Sequence, residues 1–275
     1  MPFYSRAEFD CSSDNVAATV SGLLELLPFE PAKMAVFYSE FHKDVPDRPY
    51  DKRWLLENIS TEELVGLSGT TLYGKKHRRG SGHPFVTLGF KPFDERVRIG
   101  LTCVHAISLD WMLDGDNLLQ TMLCGGATLW YLYCYRRLTK PGGYNVSQKP
   151  SIAEFRRAEP WKDSAVLAPH KARFVTSPLM FFGEGVQSLI PLRRFLLSPG
   201  STEMEICGNP VVRVELFGLD EPECESHAES KRRFWETTDL FTYLVNAEKR
   251  NPVNAIKDYE RRALLYQKLK KEGRV

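Results

Sequence analysis

Apolar residues recur along this chain with two periods, and the switches between them mark its elements. Over residues 13–27, Val16, Val20, Leu23, Leu24 and Leu27 return every three or four positions, the spacing of one helix face. Ser12, Ser13 or Asp14 can cap that helix and Pro28 closes it. Residues 33–41, with Val36, Phe37 and Tyr38 at the centre, read as a strand. Ser60-Thr61-Glu62-Glu63 has the form of a capping box ahead of Leu64, Val65 and Leu67, and predicts a short helix. Two β-like runs, 85–91 and 96–105, are joined by Pro92-Phe93-Asp94-Glu95 and predict a hairpin.

Residues 114–124 carry Leu118, Leu119, Met122 and Leu123 at helical spacing, and Gly125 ends the run. Residues 127–135 then alternate in a way that suits a strand buried on both faces. The apolar stretch 179–197 contains Pro191, which argues against one uninterrupted helix but fits a first helical turn. Residues 211–217 alternate again and predict a strand. Near the end, Phe234, Phe241, Leu244 and Val245 share a helical face, and Asn251-Pro252 has the form of an N-cap and first turn. Ile256, Tyr259, Ala263, Tyr266 and Leu269 continue as an amphipathic stripe. Strands scattered among helices without βαβ alternation predict an α+β fold, a mixed or antiparallel sheet packed with helices and a helical C-terminus. No internal repeat or long linker divides the 275 residues, so one domain over 1–275 is expected, with a weak boundary near 144–151.

With 43% hydrophobic residues a substantial core is available, and disorder of the whole chain is excluded. The net charge of +2, from 37 basic and 35 acidic side chains, lacks the basic excess of a protein that grips long nucleic acid. Residues 118–135 contain no charge, yet Gln120, Thr121, Thr128, three tyrosines and Gly125-Gly126 favour a buried core over a membrane span. The six cysteines are irregularly spaced, and Cys103, Cys124 and Cys134 sit in apolar runs where a reduced thiol packs as a small hydrophobe. With no signal-peptide pattern at the start, these features predict a cytoplasmic protein.

Local catalytic motifs are missing from the chain: no phosphate loop, no HExxH, no GxSxG and no EF-hand. Cys103, His105 and Asp110 place a thiol, an imidazole and a carboxylate close in sequence, the ingredients of a nucleophile and its base. The hydrophobic run around Cys103 favours core packing instead. Cys224-x-x-His227 has half the spacing of a zinc site, with Glu223 and Glu225 as oxygen donors, but no second pair completes four ligands. No metal and no cofactor is expected.

Three charged segments are candidates for partner contact. Lys75-Lys76-His77-Arg78-Arg79 leads a glycine-rich turn, whose ordinary reading is a solvated loop. Residues 252–275 hold seven basic side chains against three acidic ones; basic residues near a helix C-terminus are also simply stabilising. Asp220, Glu221, Glu223 and Glu225, with Glu229 beyond them, form the densest acidic stretch. Its ordinary reading is a loop before a helix N-terminus that favours negative charge. As a contact surface it would suit a basic groove.

The apolar block 118–135 with Gly125-Gly126, the Cys207-Gly208-Asn209-Pro210 turn feeding residues 211–217, and the charged helical ending resemble bacterial type VI secretion immunity proteins. The similarity covers the C-terminal two thirds and is greatest to those paired with restriction-endonuclease-like nuclease effectors. The resemblance implies a cytoplasmic antitoxin that binds its cognate effector and neutralises it stoichiometrically, and the missing motifs, balanced charge and polar content of 118–135 add the expectation of no enzyme, no direct nucleic-acid binding and no membrane. It carries over no site residue; the acidic stretch is nominated by charge alone. The alternative is an enzyme, a hydrolase using His105, Cys103 and Asp110.

Overall fold

A computed structural model of the chain describes residues 3–42, 45–75, 85–104, 117–136, 166–167, 169, 172–219, 225–252 and 254–275. The fold is α+β, with antiparallel sheet packed with helices. Two compact units are formed, one of residues 2–129 with 254–275 and the other of residues 130–253. Residues 144–151 lie outside the described residues.

In the first unit, β1 (Phe3–Ser12), α1 (Val16–Glu25), β2 (Pro31–Phe37), β3 (Arg48–Pro49), α2 (Lys52–Asn58), β4 (Gly69–Gly74), β5 (Phe85–Phe93), β6 (Arg96–Val104) and α3 (Leu118–Cys124) follow in order. The strands lie in the order β1-β6-β5-β4-β2-β3. One face of this sheet is apolar: Ala7, Phe9 and Cys11 of β1, Val97, Ile99, Leu101 and Cys103 of β6, and Val86, Leu88 and Phe90 of β5 are all buried. Burial of each large aliphatic or aromatic side chain contributes roughly 1.5–3 kcal/mol. Helix α1 turns Val16, Val20, Leu23 and Leu24 inward and packs on β1, α2 and α3. Burial, with a smaller push from the neighbouring Asp10 charge, raises the Cys11 thiol to about 11, so this thiol stays protonated.

β1 is the element that the periodicity reading passed over. The alternation Arg6, Glu8, Asp10 against Ala7, Phe9, Cys11 is its signature, visible in sequence but short of aliphatics. The capping box at residues 60–63 does not start a helix. Leu64 takes a positive φ of 67° there and Leu67 donates to the Asn58 carbonyl, so the segment turns back. The helix of this region is α2, capped by Asp51, whose carboxylate accepts from the Trp54 amide.

The last helix, α6 (Ala255–Lys271), belongs to this unit. Its N-cap is Asn254, which accepts from the Lys257 amide, rather than the Asn251-Pro252 pair. Arg261 grips Glu63 through both terminal nitrogens at 2.8 and 2.9 Å. The Phe41 ring packs against Tyr259 and Tyr266, and His42 meets the Tyr266 ring edge-on at 5.1 Å. Each exposed ion pair is worth little by itself, about 0–1 kcal/mol, so the aromatic contacts and buried Leu269 hold the helix down.

His42 makes this attachment sensitive to acid. Burial lowers its pKa, outweighing the opposing hydrogen bond to the Ser39 backbone. The unfolded chain, with an ordinary value near ~6.5, then binds a proton that the folded chain resists. Stability therefore falls as pH drops through that range. His42→Gln is expected to narrow the difference in melting temperature between pH about 8 and about 5. An unaltered difference would show that His42 does not contribute.

The second unit contains most of β7 (Thr128–Arg136), then β8 (Val166–Leu167), β9 (Arg173–Phe174), β10 (Leu179–Phe182), β11 (Ser201–Ile206), β12 (Asn209–Glu215), α4 (Glu225–Thr238) and α5 (Leu240–Arg250). Its strand order is β11-β12-β10-β7, and β8 and β9 form a separate ribbon. Residues 129–134 are buried, as their uninterrupted apolar character predicts. Pro191 does interrupt the 179–197 stretch, which becomes β10 and two short 3-10 helices, Glu184–Ser188 and Leu192–Leu197. Phe182 stacks on Phe195 at 3.9 Å, and Phe234 of α4 lies beside both.

The β11–β12 hairpin turns through Cys207 and Gly208, with φ of 50° and 77°. Two successive positive φ values match the twist of the paired strands. Asn209 and Pro210, which the sequence groups with this turn, already belong to β12. Gly200, before the hairpin, has φ 75°, and a Cβ there would lie 2.1 Å from the Glu215 carbonyl oxygen.

The cysteines divide. Cys11, Cys103 and Cys134 form no disulfide and are buried, as expected for the last two. Cys124 is exposed rather than packed and takes part in a disulfide, as does Cys207. That corrects the expectation of a reduced, buried Cys124: the helical periodicity of α3 turns position 124 outward after Leu123. Among the described residues, no helix is long and apolar enough to cross a membrane.

Candidate recognition site

Of the acidic stretch, Asp220, Glu221 and Glu223 lie outside the described residues, and Glu225 is the first residue of α4. Glu229, one turn on, is bound by Arg232 at 2.8 and 2.9 Å and by Arg233 at 3.0 Å. These bonds hold its carboxyl at about 2. Its charge is therefore offset by its own helix and adds little to an acidic surface.

Cys103 of β6 is buried on the apolar face, where a thiol is inert. His105 and Asp110, its proposed partners, lie outside the described residues. His227 is buried on α4 and stacks face to face on Phe217 at 3.8 Å. A ring engaged in that way serves as packing, and no group of three metal-ligating side chains occurs among the described residues. Lys75 pairs with Glu30; the rest of the basic loop, 76–84, is outside the described residues.

The other face of the first unit's sheet is polar, and the strand registers assemble it. Side chains alternate along a strand, and directly paired residues share a face. Arg6, Glu8 and Asp10 of β1 therefore stand beside Thr102, Gly100 and Arg98 of β6. Beyond these come Thr87, Gly89 and Lys91 of β5, then Thr71 and Gly69 of β4. Three rows cross the strands. One is a ladder of threonines, in which the Thr71 and Thr87 hydroxyls hydrogen-bond at 2.9 Å. The middle row runs Glu8-Gly100-Gly89-Gly69 and ends at Phe37 of β2. The third is charged, Asp10-Arg98-Lys91.

The middle row is a trough, because its floor carries no side chains. Gly69 has a packing reason to be glycine: a Cβ there would lie 2.7 Å from the Leu88 carbonyl oxygen. Gly89 and Gly100 have none. Among the described residues, a Cβ at either would meet only backbone oxygens, 3.9 to 4.0 Å away. Neither has a positive φ. Glycine inside a strand costs roughly 0.5–1 kcal/mol relative to alanine, and among the described residues no packing contact repays it at this pair. Such positions commonly mark where another group approaches the backbone closely.

The walls are electrostatically distinct. Arg98 donates from Nε to Asp10 Oδ1 at 2.8 Å and from Nη2 to Oδ2 at 3.2 Å, with both side chains about 5% exposed or less. Glu8 is 1% exposed and accepts from Arg6 Nη2 at 3.1 Å through Oε1; its Oε2 is buried and, among the described residues, has no hydrogen-bond partner. The far end is open, with Phe37 47% exposed. The chemistry on offer is hydrogen bonding along the threonines and a carboxylate oxygen at the closed end.

A separate surface cleft of about 350 Å³ lies between the β5–β6 turn and the end of α6. Its carboxylates Glu62 and Glu63 are tied to Arg274 and Arg261, so it is an ion-pair network rather than a receptor. Set against known proteins, the chain matches no family model and no curated protein.

Proposed function

We propose that the chain is an immunity protein, an antitoxin that binds a secreted toxic effector stoichiometrically and neutralises it. The observation that carries the reading is the polar sheet face. It is polar across several strands, with threonine hydroxyls on one side of a side-chain-free row and the buried Asp10–Arg98 pair with Lys91 on the other, whereas small-molecule sites are concave and mostly apolar. A face of that kind suits recognition of another protein. The resemblance to type VI secretion immunity proteins agrees with it and names the effector's class, a nuclease. Because a nuclease handles a polyanion its groove is basic, and Asp220, Glu221, Glu223 and Glu225 are the proposed complement in charge.

This reading puts the encounter in the cytoplasm. The disulfide-bonded Cys124 and Cys207 favour an oxidising compartment, and thiol trapping in fractionated cells decides between the two. The test of function is co-purification from the native operon, followed by titration of the toxin encoded beside it. Inhibition complete at one chain per toxin supports the proposal; an active toxin at excess inhibitor defeats it. Reversing Asp220, Glu221, Glu223 and Glu225 to lysine is expected to slow association, with the effect shrinking at high salt. Unchanged kinetics would remove the acidic stretch from the interface.

A further inference from the structure

We propose that the glycine trough is a receptor for an extended segment of the partner protein, and that a lysine or arginine of that segment reaches Glu8. This rests on the reading of the chain as a protein-binding molecule, and adds the site and the chemistry of what enters it. Two independent observations carry it. The first is the unforced pair Gly89 and Gly100, which clears a path where neither dihedral angle nor packing among the described residues demands one. The second is Glu8 at the head of that path: almost wholly buried, paired on one oxygen and, among the described residues, unpaired on the other.

A buried carboxylate is strongly disfavoured unless both its oxygens are satisfied, and a cationic donor satisfies one best. The incoming ammonium or guanidinium takes Glu8 Oε2 while Arg6 shifts to make room and keeps its bond to Oε1. Arg6 is the movable member, its side chain 27% exposed, whereas the Asp10–Arg98 pair is buried and doubly bonded and serves as a fixed wall. From Glu8 to Phe37 the row crosses four strand spacings, about 19 Å at 4.7–4.9 Å each. An extended chain covers that in about six residues. The occupant is therefore a slim segment of about that length, basic at one end and apolar at the other, where it meets exposed Phe37. Thr87 and Thr102, both half-buried, offer hydroxyls to its backbone on the way.

The probe is a capped synthetic peptide of about six residues, arginine at one end, leucine at the other and serines between. A matched peptide carries norleucine for arginine. Binding to the full chain is followed by amide chemical shifts. The arginine peptide is expected to move the Glu8, Gly89 and Gly100 resonances, and the norleucine peptide to bind about tenfold more weakly, the worth of one charge-assisted hydrogen bond. Gly89→Val with Gly100→Val is expected to abolish binding while the melting temperature holds or rises, since valine suits a strand better. Glu8→Gln, which keeps the shape, should erase the preference for arginine.

Binding that survives the double valine variant overturns the proposal. A melting temperature that falls sharply does so too, because the glycines would then be structural. Arginine amide binding as tightly as the peptide overturns the extended occupant. The immunity reading fails separately, if peptide binding is as expected but the chain does not protect cells from the neighbouring toxin. If instead the valine variant still protects, the trough is wrong and the immunity reading stands.

Discussion

Asp10→Asn is expected to destabilise the protein by about 3–5 kcal/mol, a large share of the roughly 5–15 kcal/mol that holds a domain folded. The substitution leaves the Arg98 guanidinium in place, 5% exposed and deprived of the anion it meets at 2.8 and 3.2 Å. The Phe93 ring 5.3 Å away is a weak substitute for that anion. The loss measures the breaking of a buried pair from one side rather than the worth of the pair, and the two are separable. Asp10→Leu with Arg98→Met removes both charges together, and most of the stability should return, because the desolvation cost disappears with the attraction. Urea denaturation of the three variants gives the comparison. A single variant losing less than about 1 kcal/mol, the value of a solvated surface pair, would show that water reaches the wall of the trough.

Trp235→Ala is expected to cost about 3–5 kcal/mol in the second unit, from lost transfer energy and the cavity left behind. Trp235 is 2% exposed on α4, stacks on Phe241 at 4.6 Å and meets Phe234 edge-on. Its indole nitrogen also donates to the Thr176 hydroxyl, tying α4 to the segment before β10. Trp235→Phe separates the contributions. The ring keeps most of the apolar contact and gives up the donor, so its cost should be about 1–3 kcal/mol, the penalty of an unsatisfied buried hydroxyl. Thermal melts with a near-ultraviolet signal follow the loss. Equal costs for alanine and phenylalanine would place the stabilisation in the hydrogen bond and not in the packing.

The sequence by itself determined those parts of this protein that depend on neighbours along the chain. Period and length were enough for α1, α3, β7 and the β5–β6 hairpin, because amphipathic spacing and turn residues act within a few positions. The hairpin also implies its own register, so the meeting of Gly89 with Gly100 was implicit in residues 92–95. The α+β class followed from the same local facts. Tertiary structure decided the rest. The alternation of Arg6, Glu8 and Asp10 was legible, yet only pairing with β6, some ninety residues away, makes it one wall and one end of a trough. Gly69 joins the row, and Asp10 finds Arg98, through pairings that no local pattern records. Residues 60–63 have the letters of a capping box, but the positive φ at Leu64 and the bond from Leu67 back to Asn58 turn the chain instead. Charge patterns were the least reliable guide: Glu229 counts as acidic in sequence, but its own helix brings Arg232 and Arg233 onto it. Composition sets how much charge a chain carries, but folding sets which charges remain free to meet a partner, because only packing brings opposite charges together or shuts water out.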